Sequence, residues 1–198
     1  MWHEKKISLK LSENDTKFPI ELLNMWDITN LEIIGGNFNY FPEDISILRN
    51  LKCLSLISTK ISTIPSQILE LPNLTYLSLK NNRIAKLPFL NQKSNLKTLI
   101  LGRNYLNSIE QAIPFLTNLI TLDIGHNQIE DIPENFYLLS NLQRLNLESN
   151  KLRTIPSCLR HMTDLTHLSL LDNRFSNEEM SNIENVFNIN LRPTNSKF

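Results

Sequence analysis

Four histidines, His3, His126, His161 and His167, and two cysteines, Cys53 and Cys158, are the side chains here best suited to hold a metal or attack a substrate. Their spacing supports neither chemistry. A zinc site is built from local ligand pairs such as CxxC or HExxH, and no such pair occurs. Two cysteines in 198 residues are too few for a disulfide framework, so reduced thiols are expected. Lys and Arg number 20 and Asp and Glu number 20, leaving a formal net charge of zero. A broad basic field able to neutralise a phosphate backbone is therefore absent, and nucleic acid is not expected as the main partner.

The opening MWHEKKISLKLSENDTKF has no apolar signal core, because lysines and polar residues interrupt every hydrophobic position, and no stretch approaches a membrane span. The expectation is a cytoplasmic chain without membrane insertion, with non-classical export as the alternative. At this length the chain can bury one core or one continuous repeat stack.

The informative spacing belongs to the aliphatic residues. Taking the first apolar residue of each unit as position 1, units start at Ile28, Leu51, Leu74, Leu96, Leu119, Leu142 and Leu165, with steps of 23, 23, 22, 23, 23 and 23. Position 4 is Leu in all seven units, from Leu31 to Leu168, and position 6 is Leu or Ile, from Ile33 to Leu170. Position 9 runs Gly36, Thr59, Asn82, Asn104, Asn127, Asn150 and Asn173, followed two places on by another apolar residue. Most second halves carry an apolar residue and proline, as at Phe41-Pro42, Ile64-Pro65, Leu87-Pro88, Ile132-Pro133 and Ile155-Pro156.

The L-x-x-L-x-L-x-x-N-x-L pattern over residues 28–175 resembles the leucine-rich repeat family. Its 23-residue LPxxLxxL form is similar to the class found in bacterial and Ras-group members. The resemblance implies an α/β fold: a right-handed leucine-rich-repeat solenoid with a parallel concave sheet, a thin convex side of loops and short helical turns, and a C-terminal capping helix.

Elementary physics gives the same architecture. In LITLDIGHN, Leu122 and Ile124 alternate with Thr121, Asp123 and Gly125, the period of a strand with one buried face. Such a short strand is unstable alone, whereas stacked coils pair their strands and share a core. The position-9 asparagine is expected to satisfy backbone groups of its own and adjacent coils, with Gly36 and Thr59 breaking that ladder. Position-15 proline removes a donor and fixes φ, so the return segments should be extended or form short helical turns. The 22-residue unit at 74–95 and Glu110, which stands where proline is expected, should leave the strand stack intact.

The ends divide the chain further. Residues 1–27 are expected to form an N-terminal cap and divergent first coil, with Ile7, Leu9 and Leu11 on one face and a short helix in FPIELLNMWDI. Residues 176–198 should hold a capping helix opened by Ser176 and Glu179 at capping-box spacing, with Met180, Ile183 and Phe187 on one face, then a loose RPTNSKF tail.

The non-core strand positions then form the concave sheet. Position 3 carries Tyr76, Arg144 and His167; position 5 carries Ile100 and Asp123; position 7 carries Lys80, Gly102, Gly125 and Glu148; position 8 carries Arg103 and His126. These eleven are the candidate partner-binding residues. Gly102 and Gly125 should leave a side-chain-free notch for a partner group, or simply ease the turn toward position 9. Tyr76, Arg103 and Arg144 are of types enriched at interface hot spots. Ile34 and Ile57 form a second, apolar candidate patch, with contact to the N-terminal cap as its alternative explanation. Cys53 has Asn30 and Tyr76 at neighbouring positions instead of a base, so a packed thiol is expected and no catalytic residue is assigned.

The resulting expectation is a non-enzymatic protein–protein interaction module, monomeric and free of cofactors and metals, that binds a protein through its concave sheet. The resemblance to bacterial members implies a host-interaction role. The alternatives are a self-associating structural protein, or the recognition part of a larger enzyme such as an effector ubiquitin ligase, for whose catalytic domain the residues after Phe187 leave no room.

Overall fold

The computed structural model describes residues 4–189 and 191. Eight strands follow one another across a single open parallel sheet in strict sequence order. They are β1 (Lys5–Leu11), β2 (Ile28–Gly35), β3 (Cys53–Ile57), β4 (Tyr76–Ser78), β5 (Thr98–Ile100), β6 (Thr121–Asp123), β7 (Arg144–Asn146) and β8 (His167–Ser169). From β2 onward the register pairs like with like: Leu31 with Leu54, Leu54 with Leu77, and so on through Leu145 with Leu168. One coil per strand with no slip is what an aliphatic repeat demands, because a shift by one residue would turn every core leucine to the opposite face.

Positions 1, 4, 6 and 11 bury between neighbouring coils as a continuous core; Leu99, Leu119, Ile124 and Ile129 are fully enclosed. The position-9 asparagines lie inside the turn. Asn127 Nδ2 donates to Leu101 O at 3.1 Å and Ile124 O at 3.0 Å, while its Oδ1 accepts from Leu106 N at 2.9 Å. Asn82, Asn104, Asn150 and Asn173 repeat this geometry. The asparagine row stops at Thr59, whose backbone N–H and hydroxyl instead both donate to Asn82 Oδ1, at 3.0 and 2.9 Å.

The convex return is thin. Pro42, Pro65, Pro133 and Pro156, all extended, lead into single turns at Glu43–Ile47, Ser66–Leu69 (α1), Glu134–Leu138 and Ser157–His161. After Pro88, in the shortened unit, the chain makes no helical turn and buries Leu90 and Ser94 instead. Where Glu110 replaces proline the turn is delayed to Ile113–Phe115, with Pro114 inside it. Both departures stay on the return side, and β4, β5 and β6 pair normally.

At the first coil, Ile7, Leu9 and Leu11 pack against the core, and Phe18 meets Phe38 edge-on with ring centroids 5.7 Å apart. The expected short helix is a single 3₁₀ turn, Ile20–Asn24. At the far end α2 (Asn177–Phe187) buries Ile183 completely, with Met180 and Phe187 beside it. Ser176 caps α2 by accepting from Glu179 N at 3.1 Å, but the reciprocal half of the capping box is not made. The Glu179 carboxylate accepts from Ile155 N at 3.4 Å, joining the helix to the preceding coil. The RPTNSKF tail lies outside the described residues.

Candidate interaction surface on the concave sheet

Parallel pairing assembles the outward residues into columns. Tyr76, Thr98, Thr121, Arg144 and His167 adjoin in sequence along one column, and Ser78, Ile100, Asp123, Asn146 and Ser169 along the next. Arg144 and His167 are therefore neighbours, as are Ile100 and Asp123. Arg144, His167 and Lys80 are exposed, while Tyr76, Ile100, Asp123 and Glu148 are half-buried among their neighbours. Tyr76 sits between Cys53 and Thr98.

Position 8 is not part of the sheet face, as it was expected to be. The later strands end at position 5, and the position-8 residues all adopt left-handed backbone: Ser58, Asn81, Arg103, His126, Ser149 and Asp172 have φ between 53° and 59°. A non-glycine residue there is disfavoured by about 1–2 kcal/mol. The turn is held because each N–H from Ser58 to Ser149 reaches the position-7 carbonyl of the next coil, as Arg103 N does to Gly125 O at 2.9 Å. Arg103 and His126 thus project from a rim at the strand ends.

The notch expected at Gly102 and Gly125 is closed. Both glycines are buried, and neither has positive φ. A Cβ on Gly102 would lie 3.2 Å from Asp123 Oδ2, and one on Gly125 2.8 Å from Asn146 Nδ2. The position-5 side chain of the next coil leans over each glycine to satisfy main-chain N–H groups: Asp123 Oδ1 accepts from Gly125 N at 3.0 Å, and Asn146 Oδ1 from Glu148 N at 3.0 Å. A lateral bond from Asn146 Nδ2 to Asp123 Oδ1, 2.9 Å, ties the two together. The missing side chains make room for neighbours within the fold, and these glycines are removed from the set of contact residues.

Ile34 and Ile57 are half-buried and pair with each other across β2 and β3, with Lys10 on the other side of Ile34. Cys53 is half-buried on the concave face and Cys158 buried in the return turn, both unpaired. Burial holds both thiols protonated above their ordinary pKa, reinforced by Glu4 near Cys53 and Glu134 near Cys158. His126 and His167 fall on separate columns, and His161 closes the turn at Ser157–His161; His3 lies outside the described residues. Among the described residues no three His, Cys, Asp or Glu side chains converge as metal ligands. No helix among them is long and apolar enough to cross a membrane.

A second asparagine row escaped the sequence reading. At the strand-entry edge, Asn50, Asn73, Asn95, Asn118 and Asn141 each donate from Nδ2 to a carbonyl of the previous coil, at 2.8–2.9 Å. Its signal was the Asn-Leu pair that opens each of five coils. Asp27 precedes the first coil instead and pairs with Lys5 at 2.9 Å.

Solved structures share this architecture. A leucine-rich-repeat protein of Leptospira interrogans superposes with a TM-score of 0.78 at 28% identity, over 93% of this chain and 47% of that one. TLR13, solved in complex with ssRNA13, gives 0.73 at 26% identity over 87% of this chain and 26% of its own. An internalin of Listeria monocytogenes gives 0.69 at 24% identity over 85% and 49%, a likeness of fold alone. The chain spans about half the length of the first and last of these and about a quarter of TLR13. No curated protein shows significant similarity to it. Models described as leucine rich repeat match residues 94–150 and 132–175, and a two-copy leucine-rich-repeat model matches 49–92. With the repeat register, the inward asparagine row and the parallel sheet, these matches place the chain in the leucine-rich repeat family.

Proposed function

We propose that this chain is a non-enzymatic protein–protein interaction module that receives its partner on the concave sheet and its rim. In this reading residues 1–27 serve as cap and divergent first coil, 28–175 as the repeat array, and 176–198 as the C-terminal cap and tail. The supporting observation is a contrast between columns of the same sheet. Position 4 is leucine in all seven repeats, while position 3, one residue away, reads Asn30, Cys53, Tyr76, Thr98, Thr121, Arg144 and His167. Uniform packing beneath a chemically varied outward face makes a stiff platform, and open solenoids present such faces to partners.

The contact residues are Tyr76, Lys80, Ile100, Arg103, Asp123, His126, Arg144, Glu148 and His167. The family's common use as an interaction module supports the class, and the likeness to a Leptospira interrogans protein supports a bacterial setting. Affinity capture from candidate lysates, with the wild-type chain and a folded Arg103→Ala, Arg144→Ala double variant, tests the reading. A protein captured by the wild type and lost from the variant is the expected result. Equal capture by both would move the interaction off this surface.

A further inference from the structure

The chain has no net charge, yet its cations are not evenly spread. On the rim of the second to fourth repeats, positions 7, 8 and 10 carry Lys60, Lys80, Arg83 and Arg103, with Tyr105 beside them and no carboxylate. Backbone bonds hold this rim in register. Arg83 N donates to Ile61 O at 2.7 Å and Tyr105 N to Ile84 O at 2.9 Å, which stacks Lys60, Arg83 and Tyr105 at one place on successive coils. Arg83, Arg103, Lys80 and Tyr105 are exposed, and Tyr105 retains 53% of its surface. Among the described residues none of these four cations has an ion pair. Asp123, which covers Gly102 next to Arg103, is already held by Gly125 N and Asn146 Nδ2.

We infer that this rim takes a short, extended acidic segment of a protein partner, whose carboxylates meet Arg83 and Arg103 and whose backbone lies along Tyr105. The inference rests on the interaction-module reading and names the partner's chemistry. Three coils at about 4.8 Å spacing give a rim of roughly 10–14 Å, the length of three or four extended residues. A longer polyanion is disfavoured, because positions 7 and 8 of the last two repeats present Glu148 and Asp172 to its continuation. One tyrosine also falls short of the row of aromatic platforms on which a single-stranded nucleic acid stacks. Guanidinium groups suit carboxylates in particular, since each offers paired donors to both oxygens.

The test is fluorescence anisotropy with labelled hexaglutamate, and with a labelled oligo-uridine of equal charge, against the full chain. Hexaglutamate is expected to bind at low salt, to weaken as salt screens the rim, and to lose about tenfold in affinity in Arg83→Glu, Arg103→Glu. Arg160→Ala, an exposed cation in the return turn Ser157–His161 and outside the contact set, should bind within about twofold of wild type. Should reversal at the left-handed Arg103 disturb folding, as seen by circular dichroism, Lys80→Glu, Arg83→Glu carries the same expectation without touching that turn. Absent hexaglutamate binding, equal binding by a folded reversal variant, or tighter binding of oligo-uridine would each overturn the inference. In the lysate capture, a partner kept by the rim reversal but lost on Arg144→Ala with His167→Ala overturns the rim assignment and leaves the module reading standing.

Discussion

Two asparagine rows run the length of this solenoid, built from the same residue at the same period and donating to the same kind of acceptor, a carbonyl one coil back. They differ in burial. The inner row, Asn82, Asn104, Asn127 and Asn150, is 5–8% exposed, and each amide uses both its carbonyl and its NH₂. The outer row, Asn50 to Asn141, lies at the strand-entry edge, mostly exposed, with one bond each. Water can replace the outer bond, whereas nothing replaces the inner ones, because the groups they satisfy are sealed inside the turn. Energetic weight should therefore follow enclosure and not residue type.

The yardstick for enclosure is an aliphatic core residue. Leu145→Ala should destabilise by roughly 2–5 kcal/mol through the cavity it leaves, read from urea denaturation midpoints. Asn127→Ala should follow, at about 2 kcal/mol, since it strands Leu106 N inside the turn and takes one of two amide donors from each of the Leu101 and Ile124 carbonyls, which keep Asn104 Nδ2 and Asn150 Nδ2. Between the rows in burial lies the Asp123–Asn146 pair over the glycines. Gly125→Ala pushes Asn146 aside and should cost about 1 kcal/mol, a loss that shrinks in an Asn146→Ala background because the displaced amide is gone. Asn118→Ala, which removes a single part-buried bond to Ser94 O at the strand-entry edge, should cost about 0.5 kcal/mol. Arg144→Ala, exposed and outside the core, should alter stability by less than about 0.5 kcal/mol. If Asn118→Ala and Asn127→Ala proved equally damaging, enclosure would not set the weight of a bond, and the outer row would be as structural as the inner.

Much of this was legible in the chain itself. The inner asparagines stand out because they follow a strict aliphatic frame at a fixed distance, and the physics of a buried turn assigns them their work. The outer ones were not recognised, since an asparagine before leucine reads as ordinary loop polarity until the carbonyl of the coil beneath is seen within reach. The left-handed turn at position 8 was equally hidden. Its occupants run from Gly35 through Ser58, Asn81, Arg103, His126 and Ser149 to Asp172; Gly35, Asn81 and Asp172 are types that accept positive φ, but the Arg and Ser residues among them masked the shared backbone. The rim cations Lys60 and Arg83 lay outside the candidate set because they follow the strand, and their alignment with Arg103 emerges only from the stacking of coils.

By itself the sequence determined the coil count, the register, the buried aliphatic columns, the inner ladder and the α2 cap, all properties that repeat in step with position number. Tertiary structure alone decided where each polar side chain leans. That choice depends on which main-chain N–H on the same or adjacent coil lies unpaired. Asp123 and Asn146 bend over Gly102 and Gly125, and Glu179 reaches to Ile155 instead of closing its own capping box, because those were the donors left to satisfy. Periodicity acts along the chain and can be read from it; hydrogen-bond demand between coils acts across it and is set only when the coils stack.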